Sequence, residues 1–179
     1  MWQESLPVIR PIVRRATIED AALLAELGSV TFFETFSVST TEADMAQYLA
    51  ASFSPDLQRA ELTDKQNTGL IAEINNVAAG YAMLRNGAPP DQNNSPNSIE
   101  LVRLYAKNEW HGRGVGAALM QACIDEAREQ GYKEMWLGVW EHNARAQAFY
   151  HKWQFEKFGE HIFYLGGDPQ NDFLMRRQL

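Results

Sequence analysis

The chain has 179 residues, of which 45% are hydrophobic and 11% aromatic, enough for one domain with a sizeable core. A net charge of −7 at pH 7 argues against nucleic acid as the main partner and favours the approach of a cation. One cysteine, Cys123, excludes an internal disulfide and a cysteine-built metal site; no apolar run is long enough to span a membrane, and Met1 to Arg10 lack the basic start and apolar core of a signal peptide. A cytoplasmic protein with no metal and no membrane partner is therefore expected.

Ile12 to Ala16 reads as a first strand. Thr17-Ile18-Glu19-Asp20 then supplies an N-cap with an acid three residues on, a relative of the capping box. The helix that follows has an expected inward stripe of Ala21, Leu24, Leu27, Val30 and Phe33, weakened in the middle by Gly28. In Thr31 to Phe36 three phenylalanines surround Glu34, which is either a solvated acid or a cation-binding group lining a cleft. Thr40 or Thr41 caps a second helix through Tyr48 and Leu49, and Ser54-Pro55 starts a short third one. Gly69 to Ile74, the Asn75-Asn76 turn and Val77 to Leu84 form a hairpin. Residues 88–98, rich in Pro, Asn and Asp, make an exposed loop.

Ile99 to Ala106 is a strand that delivers the turn His111-Gly112-Arg113-Gly114-Val115-Gly116, which opens a helix over Gly116 to Glu129. Glycines at 112, 114 and 116 let the backbone curl with its N–H groups inward, and the helix start adds unpaired N–H groups and partial positive charge. That is an anion site suited to phosphate, although a tight strand-to-helix connection needs the same glycines. No Gly-Lys-Ser or Gly-Lys-Thr closes the turn, so it is not a P-loop. Glu141 ends the next strand about where a ribose-binding acid belongs, but the G-x-G-x-G spacing and the mid-chain position disfavour a dinucleotide fold.

The helix carries Leu119, Met120, Cys123, Ile124 and Ala127 inward, and Gly131 is placed to close it in a left-handed conformation. Met135 to Trp140 is then a strand parallel to Ile99–Ala106, because a helix joins them. After it comes Asn143-Ala144-Arg145-Ala146-Gln147-Ala148-Phe149-Tyr150 on a short helix. Glu156 to Tyr164 and Asp172 to Arg177 read as two closing strands joined by a turn at Gly166-Gly167-Asp168.

The glycine turn resembles motif A of the GCN5-related N-acetyltransferases, Arg/Gln-x-x-Gly-x-Gly/Ala, with His111 in place of the first Arg or Gln. Trp136 to Tyr150 is similar to motif B of the same family, a strand followed by Asn-x-x-Ala-x-x-Phe-Tyr. A second departure is Trp153-Gln154-Phe155 where the family usually has Gly-Phe; Gln154 must either adopt a left-handed conformation or let the helix end differently. The resemblance implies a single α/β domain of α+β layout over residues 1–179, with residues 1–10 as an N-terminal extension. Its sheet would be mixed and mostly antiparallel, of about six to seven strands with a splayed parallel pair and helices on both faces.

The family's activity implies acetyl-coenzyme A as cosubstrate and an amine acceptor attacked directly in a ternary complex. By the same resemblance His111, Gly112, Arg113, Gly114, Val115 and Gly116 would hold the pyrophosphate, and the backbone of Leu104, Tyr105 and Ala106 would pair with pantetheine like an added strand. Asn143 would contact the coenzyme, and it also suits a helix N-cap. Tyr150 is the family's usual proton donor to the thiolate. Glu100 stands where several members place a carboxylate base, with Glu34 or water as rivals.

A narrower likeness, in Thr35-Phe36, Trp136 to Glu141 and His161 to Gly166, is to bacterial spermidine/spermine N-acetyltransferases. It implies a polyamine acceptor held by Glu34, Phe36, Trp140 and Tyr164 through a carboxylate and aromatic faces. A peptide or other small amine, a non-catalytic coenzyme A sensor and a dinucleotide-binding regulator are the competing readings. Family members are often homodimers, and no stretch of this sequence marks an interface.

Overall fold

The computed structural model describes residues 10–90 and 97–179. β1 (Ile12–Arg15) leads through one 3-10 turn (Ile18–Asp20) into α1 (Ala21–Phe36), followed by α2 (Glu42–Ser52) and α3 (Pro55–Thr63). The Thr17 backbone N–H donates to Asp20 at 2.8 Å, and Arg14 donates twice to the same carboxylate, so the box is tied back to β1. Thr41 and Ser54 cap α2 and α3 by accepting from the N–H groups of Asp44 and Leu57.

β2 (Asn67–Ile74) and β3 (Val77–Asn86) form the expected hairpin. Asn75 and Asn76 take φ of 51° and 63°, the left-handed pair that a tight two-residue turn requires. The remaining elements are β4 (Ser98–Ala106), α4 (Val115–Glu129), β5 (Glu134–Trp140), α5 (Ala144–Lys152), β6 (Glu156–Leu165) and β7 (Asp168–Gln178). The strands make one mixed sheet in the order β1-β2-β3-β4-β5-β7-β6, in which β4 and β5 are parallel and the other neighbours antiparallel.

Strand alternation divides the core. Leu70, Ala72, Leu84, Leu101 and Leu137 face α4 and α5 and meet Leu119, Met120, Cys123 and Ile124. Ile71, Tyr81 and Met83 face the other way, against Leu24 and Leu27 of α1. Parallel pairing of β4 with β5 is confined to Ser98–Glu100 against Glu134–Trp136. Beyond that point β4 follows β3 to Ala106 while β5 follows β7 to Trp140, and the two part. Val102 is the extra residue of a bulge, since Met83 opposes Arg103 and Leu84 opposes Leu101, and the bulge bends β4 as it leaves β5.

Some expectations are corrected. On α1 the buried stripe is Ala21, Leu24, Ala25, Leu27, Gly28, Thr31 and Phe32, whereas Val30 and Phe33 are exposed. The helix is turned so that Gly28 receives the Phe53 ring, which a Cβ there would meet at 2.2 Å. The glycine that weakens the helix is thus what lets α2 and α3 close over it. Ser98 is buried and begins β4 instead of ending a loop; residues 91–96 of that loop, and residues 1–9 of the N-terminal extension, lie outside the described residues.

Both helices flanking β5 end alike. Gly131 has φ of 85° and Gln154 has φ of 64°, and each is followed by an N–H that reaches back to the carbonyl of Ala127 or Tyr150. These are left-handed C-terminal caps, so Gln154 takes the strained one of the two alternatives open to it.

Candidate active site

Where β4 and β5 part, a cavity of about 1210 Å³ runs across the sheet. One half is built by the turn after β4. Gly112 and Gly114 have φ of 75° and 84°, and a side chain at either would point into open space. Because α4 starts at Val115, the N–H groups of Val115, Gly116 and Ala117 have no carbonyl of their own helix to bind. Ala117 and Gly116 line the cavity with Gly112, Gly114 and Val115, so the helix start and its unpaired N–H groups border the cavity. The buried indole N–H of Trp110 has no partner among the described residues and sits on the same lining.

The cations of this half are not those expected. Arg113 stacks on Trp110 with its guanidinium carbon 5.2 Å from the ring centroid and is absent from the lining. Arg145 and Lys152 of α5 line it instead. Nε2 of His111 lies 2.9 Å from Nη2 of Arg145 and 2.8 Å from the Ala106 carbonyl oxygen. It accepts from Arg145 when its proton is on Nδ1, and donates to Ala106 when the proton is on Nε2. Arg145 was missed although the signal is visible, a cation in a helix first turn where the dipole favours acids. Asn143 caps α5 by accepting from the Ala146 N–H at 3.1 Å and also lines the cavity.

At the fork, Leu104, Tyr105 and Ala106 run along the cavity on the side of β4 that β5 has left. Tyr150 reaches the same space from α5 with most of its ring buried. Burial pushes its phenol well above the usual range, so it carries its proton at neutral pH. Glu100 occupies the last paired position of β4 and accepts from Nη2 of Arg85 at 3.0 Å.

The other half lies between the sheet and the helices α1 and α2. Phe36 packs on Trp140 with ring centroids 5.7 Å apart, and Phe32 stacks on Tyr48 at 4.3 Å. Glu34 accepts from the Asn108 N–H at 2.9 Å, tying α1 to the turn after β4. Trp140 donates its indole N–H to Gln170 at 2.8 Å. Tyr164 is a correction: it is 64% exposed and off the lining. With a period of two, His161, Phe163 and Leu165 face the cavity while Ile162 and Tyr164 face out. Asp172 lines this half as well and was not singled out from sequence; its signal was an acid two residues before the buried Leu174, on the same face of β7.

Among the described residues no three His, Cys, Asp or Glu side chains gather as a metal site requires, and no helix is long and apolar enough to cross a membrane. Residues 31–155 match the Acetyltransferase (GNAT) family. The chain is 34% identical over 160 residues to an uncharacterized N-acetyltransferase of Mycobacterium tuberculosis strain H37Rv, covering 89% of this chain and 98% of that one. It is 32% identical over 149 residues to an uncharacterized N-acetyltransferase in the pepI 3′ region of Lactobacillus delbrueckii subsp. lactis, covering 83% and 86%. Among solved structures, the PaiA N-acetyltransferase of Thermoplasma acidophilum, in complex with coenzyme A, superposes with a TM-score of 0.80 at 22% identity, covering 96% of this chain and all of that one. A GCN5-related N-acetyltransferase of Rhodopseudomonas palustris superposes with a TM-score of 0.75 at 20% identity, covering 98% and 100%. Motifs, fold and relatives agree: the chain belongs to the GNAT family of acetyltransferases and is an acetyltransferase enzyme.

Proposed function

We propose that the enzyme transfers acetyl from acetyl-coenzyme A to a primary amine by direct attack in a ternary complex, and that the amine is a flexible aliphatic polycation of the polyamine kind. The observation that carries the acceptor is the composition of the half-cavity under α1 and α2, where Glu34 and Asp172 stand among Phe36, Tyr48, Trp140 and Phe163. Carboxylates and aromatic faces attract ammonium groups, and apolar walls between them suit methylene spacers. The overall charge of −7 adds a favourable long-range field.

The coenzyme half supports the donor. The glycine cradle and the start of α4 offer backbone N–H groups to a pyrophosphate, with Arg145 and Lys152 as cations beside it. The free side of Leu104 to Ala106 offers N–H and C=O groups to an amide-bearing arm, and an N–H there would polarise the thioester oxygen. Acetyl-coenzyme A supplies the activated acyl group. Tyr150, held neutral by burial, gives its proton to the departing sulfur, so no free thiolate is expelled.

The test follows free-thiol release from acetyl-coenzyme A with spermidine, spermine, a lysine peptide pool and an N-terminal peptide pool offered separately. Release with polyamines, reduced about 100-fold in Tyr150→Phe with coenzyme A affinity unchanged, is expected. Release with peptides alone would keep the enzyme and discard the polyamine.

A further inference from the structure

We infer that Asp172, with His161 beside it, is the group that receives the acceptor amine and removes its proton. The inference rests on the amine-transfer reading above and assigns the step which that reading leaves without a residue.

Three carboxylates line the cavity, and their surroundings separate them. Glu100 is engaged by Arg85, which donates both Nε and Nη2 to one of its oxygens at 3.2 and 3.0 Å. Glu34 holds the Asn108 N–H. Asp172 has no hydrogen-bond donor among the described residues; Nε2 of His161 lies 3.7 Å away, beyond hydrogen-bond reach. A carboxylate that lines the cavity, is 14% exposed and is engaged by no side-chain or backbone donor among the described residues is free to accept from an incoming ammonium.

Access is built into β5. A Cβ on Gly138 would lie 3.2 Å from Oδ2 of Asp172 and 3.1 Å from Nε2 of His161, so the missing side chain leaves both groups open to the cavity just past the fork. The groups that bear on Asp172 are His161 on β6, Glu141 after β5 and Tyr48 on α2. Burial pushes its carboxyl up to about 6, His161 pulls it down and Glu141 raises it. Such a carboxylate is ionised at neutral pH and is a stronger base than an unperturbed one, closer to the amine it faces.

The ammonium loses one proton to Asp172, which gives it up to water from its partly exposed side in the cavity. The neutral nitrogen forms the C–N bond as the C–S bond breaks, and its second proton goes to Asp172 by the same route. Tyr150 gives one proton to sulfur and recovers one from water. Two protons thus leave nitrogen, one is returned to the thiol, and one is released.

The decisive comparison measures kcat/KM against pH, with the amine found active in the panel, for the wild type, Asp172→Asn, Asp172→Glu and Glu100→Gln. Coenzyme A affinity by calorimetry and the pH dependence of thermal stability are recorded on each. The wild-type rate is expected to fall as pH drops through about 6. Asp172→Asn should be about 100-fold slower and lack that acid limb, with coenzyme A affinity unchanged, while Asp172→Glu restores part of the rate. Without any turnover, wild-type stability should decline as pH rises from 3.8 to about 6, and Asp172→Asn should not show that decline. An Asp172→Asn enzyme with the wild-type rate and acid limb overturns the inference alone, as does loss of the limb in Glu100→Gln only, or loss of coenzyme A binding in Asp172→Asn. A wild type that binds coenzyme A and releases thiol with no amine overturns the underlying reading and the inference together.

Discussion

A methyl group on Gly80 would lie 2.4 Å from the carbonyl oxygen of Tyr105 and 3.0 Å from the Cα of Ala106. β3 therefore packs tightly on β4 along the stretch whose other side faces the cavity. Gly80→Ala should lower stability by about 1–3 kcal/mol, because backbone cannot rotate away as a side chain can. It should also raise KM for acetyl-coenzyme A, since the strand that shifts is the one expected to pair with it. Chemical denaturation and steady-state kinetics on the same preparation check both.

The two arginines near the glycine turn should differ. Arg145 lines the cradle and meets His111, whereas Arg113 lies on Trp110. Arg145→Ala should raise KM for acetyl-coenzyme A about 10-fold, the loss of one charge-assisted contact, with kcat little changed. Arg113→Ala should change it less than about twofold. Equal effects would show that the Arg113 side chain turns into the cavity when the coenzyme binds.

Gln154 occupies a left-handed position in which a Cβ is strained. Gln154→Gly should therefore stabilise the protein by about 1 kcal/mol, seen as a rise in Tm, without altering kcat. The cap it completes binds the carbonyl of Tyr150, so a fall in kcat would instead tie the cap's geometry to the phenol.

Asp20 gives a pH-dependent prediction. The Arg14 guanidinium holds its carboxyl down to about 2, helped by the Thr17 N–H and opposed by burial. A carboxyl depressed on folding contributes stability that is fully present above its unfolded value of 3.8 and is lost as pH falls through about 2. Asp20→Asn should cost about 1 kcal/mol at neutral pH, a modest figure because Arg14 is 39% exposed and water screens the pair. The difference from the wild type should vanish in acid, as urea melts across pH would show.

How much of this was legible in the sequence follows from which signals are local. The cap at Ser54, the α2 cap that falls on Thr41 of the two candidates Thr40 and Thr41, the Asn75-Asn76 turn and the glycine turn are set by residues within a few positions of each other, and they appear where local pattern places them. The parallel β4–β5 pair follows from the helix between two strands. What was hidden is long-range. The face of α1 was misjudged because Phe53, more than twenty residues on, selects Gly28 as the contact. Tyr164 was assigned to the cavity by likeness of its neighbourhood, but one step of strand alternation sends it outward and Phe163 inward. Asp172 and His161 lie on different strands, and their approach across Gly138 depends on the β5-β7-β6 order, which no local pattern announces.

The early parting of β4 from β5 gives the sheet a third free border, in its middle and not at its perimeter. Perimeter borders invite strands of other chains, whereas this one opens between α1 on one side and α4 with α5 on the other, as a slot. A slim linear chain carrying its own amides can enter a slot; a folded partner's edge strand, bulky on both faces, cannot. A backbone border placed in such a slot is reachable by a slim ligand, and amide exchange at Leu104 to Ala106 is expected to slow on addition of acetyl-coenzyme A.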